Sequence, residues 1–517
     1  MKKDLIIVLD FGSQYSNLIA KRIRDIGVYT LLYSYNLLSI KDILSKKPKG
    51  IILSGGPFSV YKKNSPKISK EILEINIPLL GICYGMQLIS FLLGGVIHQS
   101  NIKEYGKALL KIKCKKNPLF SGIPKDRHTT VWMSHFDEIK KIPNEFDVIG
   151  STSSCTFAAI AHKKKDIYAV QFHPEVNNTE YGNSILKNFI DKICKCDRNW
   201  KLNNIIQIII SDIKNKVSNN KVILGFSGGL DSFVTAFLIH KAIGKRLHCI
   251  FVDTGLFFVK EKNTIFSFFH KMNISIKEIN AENKFLSKLN GISNPEIKRK
   301  IIGKEFINLF EEESKKIKNV KFLAQGTIYS DVIESSNNSN EKLSNSIKSH
   351  HNVGGLPKYM KLKIIEPLKM LFKDEVRKIG KLLKIPNDIL YQYPFPGPGY
   401  SIRIIGKINK KKINILKKAE NILLQELINY NYYNFISQAF IILLPIKSVG
   451  VMGDKRSYQY TAVLRSVNTE DFMTATFSNL SYDFLEKISS RIINEVDGIN
   501  RMLYDISSKP PSTIEWE

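Results

Sequence analysis

The sequence predicts two successive α/β domains followed by a smaller α+β domain. Three observations carry this. Short β-branched runs alternate with amphipathic stretches from the start, as at Leu5 to Leu9, Gly50 to Leu53, Pro78 to Ile82 and Tyr168 to Phe172. A polar passage, Cys194-Lys-Cys-Asp-Arg-Asn-Trp-Lys201, breaks that rhythm, which restarts at Val222 to Phe226 and continues through Leu247 to Val252 and Lys321 to Leu323. A Pro/Gly cluster, Tyr393-Pro-Phe-Pro-Gly-Pro-Gly399, ends the second stretch. The expected domains are therefore 1–198, 199–392 and 393–517, which suits 517 residues at roughly 150 per domain.

Composition limits the classes of function. Lys and Arg total 77 against 47 for Asp and Glu, a formal charge of +30 that suggests a polyanionic partner. The charged fraction, 24%, is ordinary for a folded protein, so the excess reflects few acids and many lysines. No helix-turn-helix, RNA-recognition or zinc-finger signature is present, and basic runs such as Lys163 to Lys165 and Lys410 to Lys412 are short and dispersed. No nucleic-acid partner is expected. The cysteines Cys83, Cys114, Cys155, Cys194, Cys196 and Cys249 form no CxxC pair, which fits a reducing, cytoplasmic setting. The run after Met-Lys-Lys is too short for a signal-peptide core, and no export is expected. Ile77 to Ile97 carries no charge and is long enough to cross a bilayer, but its Pro78, Gly81, Gly85, Gly94 and Gly95 read as a buried strand, a tight turn and a buried helix. No membrane association is expected.

Gly81-Ile-Cys83-Tyr-Gly85 follows an apolar run and precedes the helix-like Met86 to Leu93. Glycines flanking a nucleophile on a strand-to-helix turn permit a strained backbone and expose the thiol at a helix N-terminus, whose dipole favours a thiolate. Gln171-Phe-His173-Pro-Glu175 supplies a base and, on the same face of an extended segment, an acid to orient it. Oxyanion donors are available from the amide after the nucleophile, Tyr84, and from the turn Ser54-Gly55-Gly56-Pro57. Either Cys83 or His173 alone reads as a core residue; together with the Gly-Gly-Pro turn they point to acyl transfer.

This set resembles the class I glutamine amidotransferases. The resemblance implies Cys83 as nucleophile on the glutamine amide, His173 as base, Glu175 as orienting acid, and Gly56 and Tyr84 as the oxyanion hole.

Farther along, Ser227-Gly228-Gly229-Leu230-Asp231-Ser232-Phe233 follows the strand Val222 to Phe226 and opens a helix. Small residues there let backbone N–H groups approach an anion, and Asp231 can hold a magnesium ion bridging phosphates. No Gly-Lys-Ser/Thr follows, so this is not a Walker loop. The loop resembles that of the ATP pyrophosphatases, an adenine-nucleotide α-hydrolase-like fold. That resemblance implies ATP contacts from Ser227 to Phe233 and from Asp253 in Phe251-Val-Asp253-Thr-Gly255. The chain departs from the usual pattern at Phe233 and Thr254, and, in the first part, at Phe58 and Phe136.

Beyond the fusion, the chain resembles the glutamine-hydrolysing guanosine monophosphate synthetase family nearly end to end. The matching segments include Asp10-Phe-Gly-Ser-Gln-Tyr15, Val131-Trp-Met-Ser-His135, Lys298-Arg-Lys-Ile-Ile-Gly303, Leu323-Ala-Gln-Gly-Thr-Ile-Tyr329, Phe372-Lys-Asp-Glu-Val-Arg377 and the tail ending Ile514-Glu-Trp-Glu517. The family pattern implies that XMP, ATP with Mg2+, and glutamine are the small-molecule partners. It places Arg299, Lys509, Ile514 and Glu515 at XMP, and makes the third domain a dimerisation domain giving a homodimer. Pro394 to Gly399 is expected beside the substrate, Ser335 to Lys348 as a mobile lid, and His350-His351 without a metal. Related loops also serve enzymes that thiolate or lysylate tRNA; that reading requires an RNA-binding appendage and a sulfur-relay cysteine, where this chain has an amidotransferase.

Overall fold

The computed structural model describes residues 4–114, 116–124, 128–257, 262–329, 331–332, 362–469, 474–509 and 511–517. The expected lid, Ser335 to Lys348, and the His350-His351 pair lie outside the described residues. The chain packs as two units, Met1–Ile205 and Ile206–Glu517.

In the first unit, runs of Ile, Leu and Val without alternation become strands covered on both faces. These are β1 (Leu5–Asp10), β2 (Tyr29–Ser34), β3 (Gly50–Leu53) and β4 (Leu79–Ile82), with β3 and β4 buried throughout. The chain continues through β5 (Val96–Ile112), β6 (Thr129–Lys141), β7 (Phe146–Ser151), β8 (Ala159–His162) and β9 (Ile167–Val170). Among the described residues these strands form one sheet in the order β2-β1-β3-β4-β9-β8-β7-β5-β6. From β2 to β9 neighbours are parallel; from β9 to β6 they are antiparallel, and β6 alternates buried and half-buried residues as a one-sided strand should. The register pairs Leu9 with Leu53, Leu53 with Gly81 and Ile82 with Val170. The segments that leave the carboxyl ends of β1, β3, β4 and β9 therefore meet at one edge, where open α/β sheets hold ligands.

The charge-free stretch Ile77 to Ile97 resolves into β4, the helix Tyr84–Leu92 and the start of β5; among the described residues no helix is long and apolar enough to cross a membrane. The polar passage at 194–201 is held by Trp200, which stacks on Tyr29 at 4.7 Å, lies under the Arg24 guanidinium at 5.3 Å and donates its N–H to the Gly27 carbonyl. That packing lies within the first unit, Met1–Ile205.

In the second unit β10 (Lys221–Phe226), β11 (Leu247–Asp253), β12 (Ser275–Asn280), β13 (Val320–Ala324) and β14 (Lys363–Ile365) make a parallel sheet, ordered β12-β11-β10-β13-β14 among the described residues. Successive strands run outward from β10 in one direction and then return to its other side. This makes the carboxyl end of β10 a topological switch point. Beyond it, β15 (Gln438–Met452) and β16 (Lys455–Asn468) form a long antiparallel pair, with β17 (Thr476–Phe477) and β18 (Ile499–Asp505) also on β16. One apolar core runs from Ile223 and Leu323 through Leu416 and Ile441 to Phe484. The Pro/Gly cluster packs onto that core. Gly399 has φ +62° and lies so close to Leu256 that a Cβ would stand 2.3 Å from its carbonyl oxygen, while Tyr400 N–H donates to the same oxygen at 2.9 Å.

Candidate active sites

Cys83 follows β4, and its N–H is fixed by the Val170 carbonyl at 2.8 Å. Its own backbone carries the strain, with φ 51° and ψ −105°, and the helix Tyr84–Leu92 begins at the next residue. The flanking glycines supply clearance rather than the strained angle expected of them. A Cβ on Gly85 would lie 2.4 Å from the Leu53 carbonyl oxygen, and one on Gly81 2.8 Å from the Gly85 carbonyl carbon. The thiol is thus pinned at a helix N-terminus, on the edge where β3, β4 and β9 end.

His173 arrives from β9, the neighbour of β4, which is how residues distant in sequence meet. Gln171 to Glu175 forms a bend and a turn, not the extended strand end expected. Even so, His173 Nδ1 lies 2.7 Å from Glu175 Oε1, with both side chains buried. The His173 N–H donates to the Trp132 carbonyl at 2.9 Å, Thr179 Oγ1 donates to the His173 carbonyl at 2.6 Å, and the Tyr15 ring meets the imidazole edge-on at 5.0 Å. Burial alone would lower the imidazolium's pKa. The Glu175 carboxylate, with hydrogen bonds to Cys83 and Glu175, outweighs it and holds His173 well above its ordinary value.

Three groups that the sequence did not single out complete the surroundings. Cys83 Sγ donates to the Ser134 carbonyl at 3.6 Å, and Gln171 Nε2 donates to Cys83 Sγ at 3.6 Å. Gln87 Nε2 contacts the Asp137 carbonyl at 3.1 Å and Gln171 Oε1 at 3.3 Å. Gln171 lies inside the Gln-Phe-His-Pro-Glu motif and could have been flagged; Ser134 acts through its backbone, which side-chain identity cannot report. A Cβ on Gly55 would stand 3.1 Å from His173 Cε1 and 3.6 Å from Cys83 Cβ, whereas one on Gly56 would meet the Phe11 carbonyl oxygen at 2.6 Å. The Ser54–Gly56 turn therefore lies against the thiol and imidazole. Among the described residues the Gly56 and Tyr84 amides bond to no protein acceptor.

In the second unit the loop from Ser227 leaves the switch-point end of β10. Gly228 has φ +83°, and Ser232 Oγ donates to the Gly229 carbonyl at 2.7 Å while Ser227 Oγ bonds Ser232 Oγ at 3.2 Å. Gly326, after β13, packs on Asp231, where a Cβ would lie 3.1 Å from its carbonyl carbon. Asp253 ends β11 beside this loop and accepts from the Gly255 N–H at 3.0 Å; Thr254 is buried and accepts from the Leu256 N–H. Three of these side chains have partners inside the protein. Phe233 is 0% exposed, with its ring packed on Phe226, Phe269 and Phe268, and Leu230 is also buried. Their side chains are core, so only their backbone can reach a nucleotide. Asp231, the expected magnesium ligand, has both carboxylate oxygens on Lys373 Nζ, at 2.8 and 2.7 Å. Lys373 belongs to the quoted Phe372-Lys-Asp-Glu motif, yet nothing local to that motif signals its partner.

The C-terminal tail is anchored along its length. Ile514 is buried with Phe440, Ile442 and Val463. Glu515 takes Arg403 through both oxygens, at 2.9 and 3.2 Å, and Trp516 Nε1 donates to Asp505 at 2.9 Å. Glu517 pairs with the fully buried Lys298, whose ammonium also donates to the Ile404 carbonyl at 2.9 Å; burial lowers the Lys298 pKa. The neighbouring Arg299 pairs with Glu296 at 2.6 Å, and Lys509 exchanges backbone bonds with Ala475. Arg403 is the hub. It also holds Glu420 at 3.2 Å and lies over the Phe395 and Phe440 rings at 4.6 and 4.1 Å. Burial pushes Glu420 up to about 7 against the pull of that guanidinium. Ile514 and Glu515 thus spend their side chains on the core and on Arg403, and the sequence alone did not reveal Arg403 or Glu420.

Comparison with known proteins bears on the whole chain. Residues 7–193 match the model for glutamine amidotransferase class-I, 201–397 that for NAD synthase, and 425–516 that for the GMP synthase C terminal domain. The GMP synthase [glutamine-hydrolyzing] of Fusobacterium nucleatum subsp. nucleatum is 54% identical over 100% of both chains. That of Borrelia garinii subsp. bavariensis is 55% identical over 99% of this chain and 96% of its own, and that of Aquifex aeolicus 50% identical over 100% of both. The chain belongs to the glutamine-hydrolysing GMP synthase family.

Proposed function

We propose that the two sites divide one synthesis between them. The chain is a ligase that forms GMP with glutamine as nitrogen donor and ATP as energy source. At the first site, Cys83 attacks the glutamine side-chain amide as His173 accepts the thiol proton; the oxyanion rests on the Gly56 and Tyr84 amides, and His173 passes its proton to the leaving ammonia. Water then releases glutamate from the thioester. Glu175 orients the imidazole and stabilises its charged form.

At the second site, the backbone from Ser227 to Phe233, with Asp253, holds ATP while the xanthine O2 of XMP attacks the α-phosphate and pyrophosphate leaves. Ammonia displaces AMP to give GMP. Asp231 offers the oxygen donors Mg2+ takes, and the ion would neutralise phosphate charge there. Since Lys373 now occupies both oxygens, Asp231 becomes available as that ammonium turns to the phosphates. Arg299 and Lys509 are the cations assigned to the XMP phosphate, with Ile514 and Glu515 fixing the tail beside it. The functional division stays at 1–198, 199–392 and 393–517. Val449 and Tyr458, exposed and opposite each other on β15 and β16, with exposed Ile446 and Val451, support a homodimer through the third part. Free, reduced cysteines suit a cytoplasmic enzyme.

The observation that carries this reading is the assembled Cys83–His173–Glu175 line on a strained elbow. Mass-spectrometric product analysis with the full chain, XMP, ATP, Mg2+ and glutamine tests it. GMP, glutamate, AMP and pyrophosphate are expected in equal amounts; pyrophosphate release that does not depend on XMP would overturn it.

A further inference from the structure

Outside the catalytic line, the first unit holds a second grouping of thiol, imidazole and carboxylate. Glu104 on β5 and His135 on β6 are directly opposed in the antiparallel register, and Cys155 comes to them from the β7–β8 connection. One ligand atom from each lies within 4.8 Å of the others. His135 is 6% exposed and Cys155 is equally enclosed.

The imidazole is set up as a ligand. Its Nδ1 lies 3.0 Å from the Asp137 carbonyl, so Nδ1–H donates there and Nε2 is the ring nitrogen turned to Glu104. Nε2 is 3.2 Å from Glu104 Oε2, and among the described residues it has no other partner. Facing this carboxylate, the buried Nε2 must either hold a proton, as in an ion pair with Glu104, or give its lone pair to a cation between the two. The remaining members are also held in place. Ser154 Oγ donates to the other Glu104 oxygen, and the Cys155 N–H donates to Thr152 Oγ1 at 2.9 Å.

We propose that Glu104, His135 and Cys155 bind a thiophilic divalent cation of the zinc class, with one coordination position left open. Sulfur and nitrogen donors exclude Mg2+ and Ca2+, which take oxygen, and three protein ligands with an open fourth position are a common zinc arrangement. Coordination replaces the Cys155 S–H bond by a sulfur–metal bond, and the proton leaves to solvent. The site adjoins the catalytic thiol: Ser134, next to His135, accepts from Cys83, and the Asp137 carbonyl serves both His135 and Gln87.

Titration of the reduced, chelator-washed full chain with Co2+ tests this. One ion per chain is expected, with a sulfur-to-cobalt charge-transfer band that Zn2+ displaces. The band should vanish in Cys155→Ser and survive in Cys83→Ala. In Glu104→Gln, which preserves shape should Cys155→Ser fold poorly, affinity should fall by about tenfold or more. Absence of the band, its persistence in Cys155→Ser, its loss in Cys83→Ala, or unchanged affinity in Glu104→Gln would each overturn the proposal.

Discussion

The elbow around Cys83 and the loop around Ser227 both sit at the carboxyl edge of a parallel sheet, yet they are built to different degrees. The thiol, imidazole and carboxylate are buried, the imidazole is bonded to the carboxylate, and the thiol is held on a strained backbone. The anion loop is lined by small residues, and its carboxylate is only partly buried and paired with Lys373. The difference follows from what each ligand brings. A neutral amide supplies no charge to organise a site, so every group that stabilises its transition state must already be in place. A nucleotide brings phosphates, whose charge can replace the Lys373 contact and complete the geometry on arrival.

Substitutions can break this contrast at graded strength. Cys83→Ala should lower glutamine-dependent GMP formation by about 10⁴-fold or more while ammonia-dependent formation persists; equal loss with both nitrogen sources would mean that the sites are not separable. Asp231→Asn should lower formation from either nitrogen source by about 10³-fold, the scale of several kcal/mol of lost charge stabilisation, measured as XMP-dependent pyrophosphate release. A loss confined to glutamine would place Asp231 elsewhere in the cycle.

Glu175→Gln should lower glutamine-dependent turnover by roughly 10- to 100-fold and return the His173 pKa toward its ordinary value. Because the native fold raises that pKa, the imidazolium–Glu175 pair contributes its full stability below the unfolded value of about 6.5 and loses it as pH rises through the folded value. The melting-temperature penalty of Glu175→Gln should therefore be larger near pH 6 than near pH 9; the reverse order would show that Glu175 does not hold the charged imidazole. Glu515→Gln should destabilise the second unit by about 2 kcal/mol, the scale of a lost hydrogen bond to a charged group, and raise the apparent XMP requirement a few-fold. A stability change with unaltered XMP dependence would confine the tail to a structural role.

Much of the first site was legible because its constraints are local. The Gly-x-Cys-x-Gly elbow and the His-Pro-Glu segment each carry their requirement within five residues, and β1, β3, β4 and β9 were visible as β-branched runs. The extended geometry expected at His173 was wrong, because the strand ends at Val170 and a turn joins base to acid. Phe233 was read by its place in a motif, and tertiary packing puts its ring against Phe226 and Phe269, a placement the motif does not signal.

The sequence by itself determined the order of the α/β stretches and singled out the candidate nucleophile, base, acid and phosphate loop, since each rests on neighbouring residues and on backbone conformations that few residue types tolerate. Tertiary structure alone decided the Lys373–Asp231 pair, the Arg403 hub that fixes the tail, and the meeting of Glu104, His135 and Cys155. These contacts join residues far apart in the chain through strand register and burial, and a charge or a ligand atom has no local pattern that announces which distant group will neutralise it.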